Sequence, residues 1–340
     1  MYTDADLDAA IKGGAMTADA AEAFRGFMAA SRSASGADEE SFKLLTGFND
    51  IFVTIAVLLV LLATAWLLSG LAWLAAPLTA AAGWGLAEYF TRRRRMALPS
   101  IVLLLCFVGA TFFSALLLAG PAFNPGGPVN PWDLGSPFGV SALVAAAAAY
   151  AHWRRFKVPV TVAVGVFAAT ASALSALVWA LPALRQAPSL LVFVAGLGVF
   201  ALAMWWDASD RLRVTRRSDT AFWLHLLAAP MIVQPIFLML GLLSATVRPE
   251  TALVAVTCYV LLGVVALVVD RRAILVSALS YVLWAMASLL SSMGALSSAF
   301  ALAALGIGGC LLLLSVFWRS IRRLVLPYVS AWIRNRVPSA

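Results

Sequence analysis

Long stretches without a charge dominate the chain. Residues 51–87 run 37 residues without Asp, Glu, Lys or Arg, residues 96–132 another 37, and residues 273–318 run 46. A helix needs about 20 residues to cross the hydrocarbon of a bilayer. The first and last stretches therefore each predict two helices, broken at Ser69-Gly70 and over residues 291–294. The middle stretch predicts one span over 98–120, followed by a loop at 121–137 (PAFNPGGPVNPWDLGSP) whose proline and glycine content does not suit lipid. Single-helix blocks follow at 138–153, 158–181, 189–206, 220–243 and 251–269, making about ten spans. Block 138–153 is short and mostly alanine, so its crossing depends on burial among neighbouring helices. The pattern predicts an all-α, polytopic membrane bundle.

The charges supply an independent test, because Lys and Arg near helix ends concentrate on the cytoplasmic side. With the N-terminus inside, the inner loops hold Arg92 to Arg95, then Arg154, Arg155 and Lys157, then Arg211, Arg213, Arg216 and Arg217, then Arg271 and Arg272. The outer loops hold only Arg185 and Arg248. Trp153, Trp205, Trp206 and Trp318 fall where an inner aromatic belt belongs. Both termini are thus expected in the cytoplasm. The motif Arg-Arg-x-x-x-Pro recurs at Arg94-Arg95 and Arg154-Arg155, with a proline-free echo at Arg271-Arg272. Hairpin duplication is one reading; inner positive charge with proline in a first helical turn is the other.

Composition agrees: 63% of the 340 residues are hydrophobic and 12% charged, against about 25% charged in soluble domains. The net charge of +8 marks topology rather than a nucleic-acid partner. Cys106, Cys258 and Cys310 each lie inside an apolar block without metal-ligand spacing, and read as small packing residues. Nine of the sixteen acidic groups fall in the first 50 residues, which lack the apolar core of a cleavable signal.

Three regions result: a cytoplasmic helical pair and flexible linker over 1–41, a transmembrane domain over 42–318, and a basic amphipathic helix over 319–340. In the first, Thr3 and Thr17 start two short helices separated by Gly13-Gly14, the second ending near Ala30, with a polar linker at 31–41. This acidic pair, residues 3–30, is either a solvated appendage or a docking element for a cytoplasmic protein. In the last, Ile321, Leu324, Val325, Tyr328, Val329 and Trp332 predict an apolar stripe opposite Arg319, Arg322, Arg323 and Arg334. Those arginines are expected at anionic lipid headgroups, with Pro327 as a kink.

Ionisable groups within spans are the default functional candidates. Glu88 precedes Arg92 by four residues, spacing for a boundary ion pair or for a proton or cation site. Asp50, Asp207 and Asp270 sit at inner helix ends, where boundary solvation accounts for them. The seventh span, DTAFWLHLLAAPMIVQPIF from Asp219, holds His225, Pro230, Gln234 and Pro235. Its prolines withdraw the usual donors from the carbonyls of Leu226 and Met231, and transporters build midplane sites from such broken helices. A kinked helix with His and Gln bonded to its neighbours is the alternative. No HExxH, paired intramembrane aspartates or phosphate-binding loop points to an enzyme, and no cofactor or metal site is expected. The glycines at 196, 198 and 306–309 read as close helix packing.

The opening pattern, an acidic short helix, Gly13-Gly14, then Met16-Thr17 beginning a second helix and a polar linker, resembles a family of uncharacterised bacterial polytopic membrane proteins known only as a domain of unknown function. The likeness covers about the first 45 residues. It implies a bacterial inner-membrane location and supplies no site residues. The leading expectation is a small-solute transporter or channel-like protein using His225, Gln234 and the proline-broken backbone, with Glu88 as a coupling residue. The competing expectation is a non-enzymatic membrane scaffold or sensor acting through the N-terminal helical pair.

Overall fold

The computed structural model describes residues 4–36, 48–71, 74–123, 137–210, 215–241, 249–292, 298–334 and 337, and every regular element among them is helical. Two compact units divide the chain, Met1–Lys43 and Leu44–Ala340.

The first unit is a pair of helices, α1 (Asp4–Lys12) and α2 (Ala18–Gly36). Gly14 at φ +73° ends α1, and Ala15 N–H reaches back to Ala10 O at 3.0 Å, the bond that closes a left-handed helix cap. Thr17 Oγ1 accepts from Ala20 N–H and caps α2. Leu7 and Ala21 are buried, and Arg25 pairs with Asp8 at 3.0 Å. Helix α2 continues six residues beyond the expected end at Ala30: Ser, Arg and Ala cost a helix little, and the next glycine is Gly36. Residues 37–47 of the expected linker lie outside the described residues.

In the second unit eight helices are long and apolar enough to cross a membrane, so the chain is a multi-pass membrane protein. They are α3 (Phe48–Leu67), α5 (Ala97–Phe123), α7 (Val160–Ala180), α8 (Pro188–Ser209), α9 (Arg216–Met239), α10 (Pro249–Val269), α11 (Ala273–Ser292) and α12 (Ala299–Val316). Two further helices fall short of that test. Helix α4 (Ala75–Ala87) has 13 residues and passes into a π-helical turn, Glu88–Arg93; α6 (Pro137–Phe156) has 20 but is rich in alanine. Helix α6 nonetheless buries Ala142, Ala145, Ala149 and His152 along one stripe, with Ala149 packed beside Gly165 of α7. The expected breaks at Ser69-Gly70 and after Ser291 coincide with a 3₁₀ turn and with the end of α11; the 124–136 portion of the proline-rich loop lies outside the described residues.

Helices α3 to α7 pack mainly on their sequence neighbours, and α7 joins them to α9. In the second group α8 pairs with α9, α9 skips to α11, and α11 contacts both α10 and α12. The two groups of five therefore differ in packing order. Helix α9 is central, with 44% of its most apolar window buried against 17–33% for the other spans.

Three turns are closed by non-glycine residues in the left-handed region, Arg95, Lys157 and Asp270. They stand at unequal offsets from the Arg-Arg motifs, so turn geometry, not a common register, is what the three hairpins share.

After α12 the chain continues as α13 (Trp318–Val325), a 3₁₀ turn through Pro327, and α14 (Ala331–Arg334). Trp318, Arg322 and Leu326 are buried, whereas Leu324 and Tyr328 face outward. Arg322 turns in because the last carbonyls of α10 lack helical partners: its Nε donates to Leu267 O at 3.0 Å. At 3% exposure Arg322 is therefore unavailable to a lipid headgroup, while Arg319, Arg323 and Arg334 are exposed.

Candidate functional site

The membrane domain's most concentrated chemistry is a buried charged cluster joining α8, α9 and the α10–α11 turn. Asp207 occupies the last turn of α8, and the connection to α9 is closed by Asp210, whose Oδ2 accepts from Thr215 N–H at 2.9 Å and Oγ1–H at 2.6 Å. Thr215 in turn caps α9 through Arg217 N–H. The α8–α9 pair can sit close because Gly196 faces Met231: a Cβ there would stand 2.9 Å from the Met231 carbonyl carbon. That packing brings His225 of α9 to Asp207, with Nε2–H donating to Oδ2 at 2.9 Å. An ionised carboxylate only accepts, so the Nε2 nitrogen carries the proton.

The third member comes from the turn after α10. Asp270 at φ +60° ends that helix, and Arg271 N–H bonds Ala266 O at 2.9 Å, so the next side chain is aimed back into the bundle. The Arg271 guanidinium grips Asp207 with two nitrogens, Nη2 on Oδ1 and Nε on Oδ2 at 3.2 Å, and Nη2 lies 3.4 Å from Ser218 O. Asp207, His225 and Arg271 are each no more than 1% exposed, and the Phe200 ring packs edge-on to the imidazole at 5.2 Å. Removing any one partner would strand a charge or donor in a medium that cannot solvate it.

The same turn holds the C-terminal helix. Trp318 Nε1–H donates to Asp270 Oδ1 at 2.7 Å, and the Arg272 guanidinium lies over the Trp318 ring, 5.0 Å from its centroid. Asp270, Arg271 and Arg272 thus tie α13 on one side and the buried cluster on the other.

Glu88 lies apart from this cluster, in the π turn. It accepts from Arg155 of α6 at 2.7 and 3.1 Å and from Arg92 at 3.3 Å, which realises the boundary ion-pair reading and extends it to a second helix. His152 is buried among Trp84, Phe107 and Phe156, with Nδ1 3.3 Å from Thr161 Oγ1.

The residues expected to share a pathway are not brought together. His225 and Gln234 are nine residues apart, about 180° around a helix at 3.6 residues per turn, so the buried His225 and the exposed Gln234 occupy opposite faces of α9. Pro230 is exposed and Pro235 buried. Helix α9 stays continuous through both prolines rather than breaking. Asp207 and Arg271, by contrast, read from the sequence as boundary solvation and topology. The signal that pairs them is positional: the charge pattern places the ends of α8 and α10 on one side of the membrane, where an acid and a base at helix termini can meet.

Among the described residues no three His, Cys, Asp or Glu side chains converge as a metal site. No family model, curated protein or solved structure matches the chain.

Proposed function

We propose that the chain is a ten-span protein of a bacterial inner membrane, both termini cytoplasmic, acting as a non-enzymatic sensor or scaffold switched at the Asp207–His225–Arg271 cluster. Helix α4 with its π turn, and α6 buried between α5 and α7, supply the two spans beyond the eight. The arginine-rich loops at alternate turns support the orientation.

One observation carries the functional reading: the cluster is closed and internal, and ties the end of α8, the body of α9 and the α10–α11 turn through one carboxylate. With neutral His225 its formal charges cancel, Asp207 against Arg271. Protonation of the imidazole adds a positive charge in a poorly solvated interior. Ser218 O lies 3.4 Å from the Arg271 guanidinium, and Asp219 interacts electrostatically with Arg271, Arg216 and Asp210. Acidification is thereby coupled to the grip on the α10–α11 turn, which also holds α13. The acidic N-terminal helical pair offers the surface by which a cytoplasmic protein partner would read the state, and the exposed Arg319, Arg323 and Arg334 face anionic lipid.

Small-solute transport is the second reading, favoured by the His–carboxylate pair inside a span that carries two prolines. Proteoliposomes loaded with a pH-sensitive dye distinguish the two. The sensor reading expects wild-type and His225→Gln protein to leak protons equally, while protease access to the C-terminal helix changes between pH 8 and pH 5 in wild type alone. Proton or solute flux that requires His225 would replace it with transport.

A further inference from the structure

The C-terminal segment does more than lie on the bundle: it roofs a groove. Phe200, Met204 and Ala208 of α8 form one wall, Val264 and Val268 of α10 the other, and Trp332 with its neighbours the roof, around about 750 Å³. That volume lies within the range of roughly 300–1,000 Å³ typical of small-molecule sites. The lining is apolar throughout, and α13, which leads into the roof, is held by Trp318 on Asp270 and Arg322 on Leu267 O.

Charge decides what fits it. No Asp or Glu follows Asp270 in the chain, whereas Arg271, Arg272, Arg319, Arg322, Arg323, Arg334 and Arg336 do. Arg271 and Arg322 are used internally; Arg272, Arg323 and Arg334 are exposed. Arg334 directly follows the groove residue Ile333, and Arg272 stands three residues after Val269, which also lines the groove. An apolar slot with exposed Arg272 and Arg334 close to it in the chain fits an amphiphile with an apolar tail and a negative head. A second copy of this chain would bring the same positive surface against it.

We propose that this groove holds one acyl chain of an anionic phospholipid drawn from the bilayer, its phosphate engaged by Arg334, Arg323 and Arg272. Each arginine at a membrane surface contributes about 1 kcal/mol toward an anionic lipid, about fivefold in affinity.

Electron spin resonance of the full chain in nanodiscs, with spin-labelled phosphatidylglycerol or phosphatidylcholine as probe, tests it. Wild type is expected to immobilise phosphatidylglycerol in excess over phosphatidylcholine. Ala201→Trp, at an exposed groove position, is expected to remove that immobilised component. Arg323→Gln with Arg334→Gln leaves the groove intact and is expected to lower the phosphatidylglycerol preference by about 25-fold. This double variant alters only exposed side chains, so it keeps the test decisive if Ala201→Trp fails to fold. Equal immobilisation of the two lipids by wild type would overturn the proposal. So would an unchanged preference in the arginine double variant, an unchanged signal in folded Ala201→Trp, or nanodisc masses showing a second copy seated on this face.

Discussion

Deleting one member of the buried cluster should cost more than its share, because the groups left behind keep their burial and lose their compensation. In Asp207→Ala the Arg271 guanidinium, with 2% of its side chain exposed, loses the carboxylate it grips and keeps Ser218 and the electrostatic interaction with Asp219. In Arg271→Leu the Asp207 carboxylate keeps only the imidazole of His225 among these partners. Breaking a buried pair from one side typically costs about 3–5 kcal/mol, while replacing both members by apolar groups is often close to neutral. Each single variant is therefore expected to lose about 3–5 kcal/mol. The double variant should fall short of the sum by about 2–3 kcal/mol, toward the upper end of measured couplings. Steric trapping in bicelles gives the unfolding free energies directly. Additivity within about 0.5 kcal/mol would refute the reasoning, since it would mean that the three groups are separately solvated.

Gly196→Ala should destabilise by about 1–3 kcal/mol, because its Cβ meets Met231 backbone. Gly198→Ala, two residues on with open space around it, should be tolerated, and thermal unfolding of the two side by side checks the contrast. Glu88→Gln should leave thermal stability unchanged, since its ion pairs with Arg155 and Arg92 are solvent-exposed. Asp270→Ala should release α13 to tryptic cleavage at Arg319 and Arg323; Asp270→Gly should do so less, because glycine tolerates the φ of +60° while still lacking the carboxylate that holds Trp318.

The helices were legible because lipid demands long apolar runs, and the turns because arginine clusters punctuate them. Where the reading erred, the cause was packing that no one-dimensional pattern contains. An amphipathic count over residues 318–334 placed Arg322 outward; the orphan carbonyl at the end of α10 pulls it in. Helical spacing alone separates His225 from Gln234, so that part of the pathway expectation could have been set aside from sequence. The pairing of Asp207 with Arg271 required knowing that α9 packs on both α8 and α11, a packing order that hydropathy does not contain.

The central claim, that His225 protonation governs the turn holding α13, is tested most directly by hydrogen–deuterium exchange in nanodiscs at pH 8 and pH 5, corrected for intrinsic rates. Acid is expected to raise exchange in peptides covering the start of α9, residues 268–274 and residues 317–330 of wild type, and His225→Gln to abolish the change. Exchange that is independent of pH in those peptides, or that responds identically in His225→Gln, would contradict it.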